Sequence, residues 1–176
     1  MTLERARSRA ETLDSGTQKE IGERMLAPPR VVFSEIRAYL YRRCEKMRTK
    51  NDPYDLLKLV PESNGVASIE LGPTIDKGPT PEHLHFESGA RLSFGLTLRE
   101  VDRGSQLVAF RYHYQLPAKS SPEYLRFDLN EGPHTDSLVE PRGHLHPGLE
   151  DVRIPISLHD PFEILDRIFF VLEKRT

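Results

Sequence analysis

Three of the chain's seven histidines fall in one short segment, LRFDLNEGPHTDSLVEPRGHLHPG, which spans residues 125–148. The same segment holds two arginines and several carboxylates, and its prolines and glycines argue against a helix. Histidine exchanges a proton near neutral pH, and arginine binds phosphate through a planar fork of N–H donors. This combination indicates acid–base chemistry on a phosphate group. The alternative is a solvated loop in which the histidines have no chemical role.

Two predicted strands carry further groups of this kind. Residues two apart in a strand share a face, so Arg111 lies beside His113. Arg126 and Asp128 are related in the same way. Because the turn between the strands is short, a suitable register brings the four side chains together, and the later histidines can approach them. The catalytic candidates are His113, His134 and Asp128, and the substrate-binding candidates are Arg111, Arg126, His144 and His146.

These residue types suggest distinct roles. The two arginines would hold phosphate, His113 or His134 would act as base or acid, and Asp128 would orient a histidine. The structural alternative is an exposed sheet face with cross-strand Arg–Asp pairs of little energetic weight.

A divalent metal is the second kind of chemistry that the sequence leaves open. His-x-His together with a carboxylate is a suitable ligand set, and His144–His146 has a counterpart at His83–His85. The metal candidates are His83, His85 and Glu87, and no cofactor is assigned. The stretch HLHFESGARLSFG is similar to the first metal motif of cupin barrels. Glu87 follows the histidines too closely for that motif, and its second half has no clear counterpart.

The elements that must position these residues change type along the chain. Apolar residues at spacings of three and four predict a helix over residues 29–50, with arginines and lysines on its remaining surface. From residue 90, apolar and polar residues alternate, which predicts an antiparallel hairpin followed by a strand at residues 123–129. A short strand with Pro155 is expected at an edge. A C-terminal helix is expected to begin with Asp160 as N-cap and Pro161 in its first turn.

Strands flanked by helices predict the α+β class: an antiparallel sheet of four to six meandering strands, with N-terminal helices and a C-terminal helix packed on one face. The expected domains are an N-terminal helical arm over residues 1–65 and a β-sheet core with the C-terminal helix over residues 66–176.

Length, composition and charge restrict the classes of protein to which the chain can belong. A chain of 176 residues can bury a core without disulfides, and its single cysteine excludes an internal disulfide. The net charge of −2 does not by itself indicate a nucleic-acid binder, although residues 1–65 carry +3 and the remainder −5. No run is apolar enough for a membrane helix, so no membrane association and a cytoplasmic location are expected.

The second half of the chain resembles the TumE-like family of toxin partners in bacterial toxin–antitoxin systems. The resemblance covers residues 92–172 and rests on FRYHYQL, YLRFDLNEGPH, RGHLHPG and DPFEILDRIF. The matching residues are Arg111, Tyr112, Tyr114, Arg126, Asp128, Pro133, His134, His144 and His146. It implies a prokaryotic toxin or defence context, with an antitoxin or other protein as partner, but no defined reaction.

Three functions are therefore considered. The first is a toxin acting on nucleic acid, a small nuclease that uses the Arg/His/Asp cluster. The second is a non-enzymatic interaction module that docks through the basic helix 29–50 or the sheet edge near Pro155. The third is a metal-dependent enzyme built on His83, His85 and Glu87. The oligomeric state is left open.

Overall fold

The computed structural model describes residues 27–47, 49–50, 52–72, 83–102, 104–130, 143–156 and 160–173. His134 and the middle of the histidine-bearing segment lie outside these residues.

In the described part of the chain, three helices flank the sheet in sequence. Helix α1 spans Pro29–Met47, the short α2 spans Pro53–Leu56, and α3 spans Pro161–Arg167 and continues as a π-helical turn over Ile168–Leu172. The start of α3 is as predicted. Asp160 caps it by accepting a 2.8 Å hydrogen bond from the backbone N–H of Phe162, which satisfies one of the free donors of the first turn.

The eight strands of the described residues all pair antiparallel in one sheet, in the order β1-β2-β4-β5-β6-β7-β8, with the short β3 also on β4. The strands are β1 (Leu57–Pro61), β2 (Val66–Leu71), β3 (Leu84–His85), β4 (Arg91–Val101), β5 (Gly104–Gln115), β6 (Tyr124–Leu129), β7 (Gly143–His146) and β8 (Ile154–Pro155). The α+β class is confirmed, but the expected four to six strands are too few.

The additional strands are those with weak sequence patterns. The run LLKLV follows a proline-initiated turn and has no clear alternation, yet Leu57–Pro61 pairs with β2. Strand β3 has only two residues, so no alternation can reveal it. Pro155 lies in β8 at the sheet edge, as predicted.

One face of the sheet forms the core. Alternate residues of β4 and β5 are buried there beneath α1 and α3, among them Leu92, Phe94, Leu96, Leu98, Phe110, Tyr112 and Tyr114. Tyr112 is fully buried and donates a 3.2 Å hydrogen bond to the carbonyl of Pro161, which ties the sheet to the start of α3. Tyr39 of α1 contacts the ring of Phe169 at 6.3 Å between centroids. Strand β1 and helix α1 thus share one hydrophobic core with residues beyond 65.

The opposite face of β4 to β7 carries the polar residues of the alternation, and we call it the polar face. Among the described residues, no helix has the length and apolar character required of a transmembrane segment.

Candidate functional site

Two cross-strand rows on the polar face contain most of the predicted site residues. Because all neighbouring strands are antiparallel, directly paired residues lie side by side on one face. The first row is Gly95, Arg111, Asp128 and His144. The second row is Ser93, His113, Arg126 and His146. The predicted clustering of arginine, histidine and aspartate on one sheet surface is therefore present.

Asp128 accepts hydrogen bonds from two arginines, one on its own strand and one on the neighbouring strand. Arg111 donates from Nε to its Oδ1 at 3.2 Å, and Arg126 donates from Nε to its Oδ2 at 2.8 Å. The Asp128 side chain is only 4% exposed, so both guanidinium groups compensate the cost of burying its charge. Asp128 therefore orients two arginines, in addition to facing two histidines.

Arg126 is also fixed from its outer side. Its terminal Nη1 contacts both carboxylate oxygens of Glu150, at 2.6 and 2.7 Å, and the hydroxyl of Tyr124 donates to Glu150 at 2.8 Å. Hydrogen bonds from Arg126, and then from Tyr124, hold the pKa of Glu150 below its ordinary value. Arg126 is thus bound on both sides by carboxylates, which suits a positioning residue better than a free phosphate ligand.

Sequence reasoning missed Tyr124 and Glu150. Tyr124 could have been found, because it lies two residues before Arg126 in a strand and so shares its face. Glu150 gave a weaker signal, since it reaches the site only because the chain reverses at Pro147-Gly148 after β7.

The reversal depends on Gly148. Its φ of +75° is in the left-handed region, and a Cβ atom there would lie 2.7 Å from Cβ of Pro122. The close approach allows Glu150 to reach Arg126. It also places the carbonyl of Leu149 3.3 Å from Nδ1 of His146.

His144 and His146 lie on the polar face but are buried, each 2% exposed in its side chain. The Nε2 atoms of His144 and His146 lie 3.8 and 3.5 Å from Oδ2 of Asp128. The two ring centroids are 4.8 Å apart. These histidines are thus less accessible to a substrate than their proposed binding role requires.

His113 is the histidine placed between the two arginines. Its ring stacks edge-on against Tyr124 at 5.2 Å. Burial, followed by the nearby charge of Arg126, lowers its pKa, although the carboxylates of Glu150 and Asp128 oppose the shift. A neutral imidazole at neutral pH is the form that accepts a proton.

Arg111 is the accessible cation of the site, with a side chain 50% exposed. Its partner on β4 is Gly95, and a Cβ atom built at Gly95 would meet no atom of the described residues within 4 Å. Among these residues, the sheet surface beside Arg111 is therefore open, which leaves room for a ligand to approach the guanidinium.

The first His-x-His motif lies on the same face but at a distance. Leu84 between the two histidines is buried in the core, so His85 points to the polar face, and the ring of His83 lies 6.5 Å from it. Leu84 pairs with Leu92, which places His83 beside Ser93 of the second row. Four strand spacings then separate His83 from His146, about 19 Å.

The two motifs therefore do not form one metal site. Within the described ranges, the group of three side chains whose ligand atoms lie within 4.8 Å of one another is Asp128, His144 and His146. It includes none of His83, His85 and Glu87. All five described histidines nonetheless lie on the polar face, and His134 lies outside the described residues.

Comparisons with protein-family models, with curated proteins and with solved structures found no match for this chain.

Proposed function

We propose that the protein is a nuclease of the toxin or defence type, acting on nucleic-acid phosphodiesters at the polar face. The observation that carries the proposal is the pairing of Arg111 and His113 on neighbouring rows: one guanidinium is half exposed beside open sheet surface, and the adjacent imidazole has a lowered pKa. The first group suits a phosphate, and the second suits proton abstraction from an attacking hydroxyl or water.

The roles within the cluster follow from its contacts. Asp128 holds Arg111 through Nε, which leaves the terminal nitrogens available for a phosphate. Arg126 is bound between Asp128 and Glu150 and supplies positive charge beside His113 rather than a free fork of donors. In this mechanism Arg111 binds the phosphate, His113 takes the proton, and Arg126 with Asp128 positions them.

The resemblance of residues 92–172 to TumE-like toxins supports the biological setting, because the matching residues include Arg111, Arg126 and Asp128. Under this proposal the chain acts in the cytoplasm of a prokaryote and is restrained by an antitoxin partner. Inducible expression in a bacterial host should then inhibit growth.

The test is cleavage of end-labelled single-stranded RNA, double-stranded RNA and single-stranded DNA by the purified full chain. Arg111→Gln and His113→Gln should each lower the cleavage rate by about 100-fold or more, while circular dichroism stays unchanged. Arg42→Gln is the matched control, because Arg42 is an exposed cation on α1 away from the sheet. Wild-type protein that cleaves none of the substrates would contradict the proposal, as would equal losses in all three variants.

A second candidate function is a docking module at the β8 edge. Leu149, Val152 and Ile154 are exposed apolar side chains next to this edge strand. An added strand from a partner would pair with the side of β8 that has no neighbouring strand among the described residues, and would cover them. The basic helix is less favoured, because Arg37 lies over the ring of Tyr54 and Arg43 pairs with Asp166. Ile154→Lys should abolish partner capture and leave cleavage unchanged if this function holds.

A further inference from the structure

We propose that Asp128, His144 and His146 form a binding site for one divalent transition-metal ion of the zinc class. Two imidazoles and one carboxylate are the ligands that such ions take in proteins. The three side chains come from the paired strands β6 and β7, which bring them together through a regular register. This is a different set from the metal candidates at the first His-x-His motif.

The tautomer of His146 is the main argument. Its Nδ1 lies 3.3 Å from the carbonyl oxygen of Leu149, which can only accept, so Nδ1 carries the proton. In the neutral ring Nε2 then presents a lone pair. That atom is buried, has no hydrogen-bond partner among the described residues, and faces Oδ2 of Asp128 at 3.5 Å.

Two acceptor atoms that face each other in a buried position repel each other, and a metal ion between them would remove that repulsion. The 3.5 Å separation is long for a hydrogen bond, and Arg126 already binds the same carboxylate oxygen. A metal ion would use both lone pairs. The bond from Nδ1 to a backbone carbonyl is the support that metal-binding histidines ordinarily have.

The distances fit a compact coordination site. Ligand atoms about 2.1 Å from a tetrahedral zinc ion lie about 3.4 Å apart. The Nε2 atoms of His144 and His146 are 3.8 and 3.5 Å from Oδ2 of Asp128, within a few tenths of an ångström of that spacing. All three ligand atoms lie within 4.8 Å of one another, so a bound ion would draw them closer together. Oδ2 also accepts from Arg126, but a carboxylate oxygen has a second lone pair for the ion.

Three protein ligands would leave a fourth position for water or a substrate oxygen. The two arginines balance Asp128 and Glu150, so a bound divalent ion would make this end of the polar face cationic. That charge suits a phosphate, but the metal site is inferred from the ligand geometry and does not require nuclease activity.

The experiment is a titration of the full chain, freed of metal with a chelator, with Zn²⁺ by calorimetry and with Co²⁺ by visible absorption. We expect one equivalent of Zn²⁺, a rise in the melting temperature on addition of Zn²⁺, and a Co²⁺ spectrum of low coordination number. His146→Gln should weaken Zn²⁺ binding by about 100-fold or more. The matched control is His83→Gln with His85→Gln, which removes the other His-x-His motif on the same face and should leave binding unchanged.

Folded wild-type protein that binds no stoichiometric Zn²⁺ would overturn the inference, and this result does not depend on the folding of any variant. Equal weakening by His146→Gln and by the control pair would overturn it as well, because scattered surface histidines would then explain the binding. Cleavage measured on the same samples separates the two proposals. Metal binding without cleavage would remove the nuclease, whereas cleavage in metal-free, chelator-treated protein that also binds no Zn²⁺ would remove only the metal site.

Discussion

Arg126 donates from Nε to Oδ2 of Asp128 at 2.8 Å, and both side chains are largely withdrawn from water, at 14% and 4% exposure. A buried ion pair adds modest stability by itself, but removal of one partner leaves an uncompensated charge. The contact therefore identifies Asp128 as the residue on which the electrostatics of the polar face depend.

Asp128→Asn should lower the free energy of unfolding by about 3 kcal/mol. The substitution keeps the shape of the side chain but removes the charge that compensates two guanidinium groups. Urea denaturation followed by circular dichroism measures the change. Glu150→Gln is the matched control, because the Glu150 side chain is 63% exposed and its pair with Arg126 should contribute less than about 1 kcal/mol. Equal losses in both variants would contradict the assignment of Asp128 as the buried centre.

Gly95→Glu should impair substrate binding by the proposed nuclease without unfolding it. Position 95 is opposite Arg111 and has open space above it, so a carboxylate there would compete with phosphate for the guanidinium. We expect KM for a cleaved RNA to rise about fivefold, the size of a cross-strand charge pair of about 1 kcal/mol, with kcat little changed. Gly95→Ala adds only a methyl group and should leave KM as in the wild type. A KM that is the same in both variants would exclude substrate binding beside Arg111.

The main features of the polar face could be predicted from the sequence, because side chains along a β-strand alternate between the two faces of the sheet. Arg111 and His113 on one strand, and Arg126 and Asp128 on the next, must share a face, and a short connection makes the strands neighbours. The same alternation predicts the buried aromatic side of β5, which includes Tyr112.

The remainder of the site depends on contacts that have no local signal. Strand β7 has four residues and pairs with β6 across an intervening segment, so its register with Asp128 cannot be read from periodicity. That register places His144 and His146 beside Asp128, and their burial favours candidate metal ligands over substrate contacts. Glu150 joins the site through a turn whose geometry depends on its approach to Pro122.

Gly148→Ala adds only one methyl group but should still disturb the site. The added methyl group would contact Pro122 at 2.7 Å in a backbone conformation with φ of +75°, so the turn must shift. We expect a loss of about 1–2 kcal/mol in the free energy of unfolding and weaker Zn²⁺ binding, because Leu149 and Glu150 would move away from their partners. Gly95→Ala, at a position with open space, is the control. A wild-type melting temperature for Gly148→Ala would show that the turn does not constrain the site.

The lowered pKa of His113 predicts the direction in which the free energy of unfolding changes with pH. Burial and the charge of Arg126 place the folded-state pKa below the ordinary 6.5, so the unfolded chain binds the proton more readily. The contribution of His113 is therefore fully present above pH 6.5 and is lost as the pH falls through the folded-state pKa. His113→Gln should lose less stability than the wild type between about pH 7.5 and about pH 5, measured by urea denaturation at each pH. His83→Gln serves as a comparison, because it removes another histidine whose pKa is lowered by burial but which lies at a distance from Asp128. If the pH dependence of stability is the same in His113→Gln as in the wild type, His113 is as well solvated in the folded chain as in the unfolded chain. His113 would then lack the buried environment that the proposed base requires.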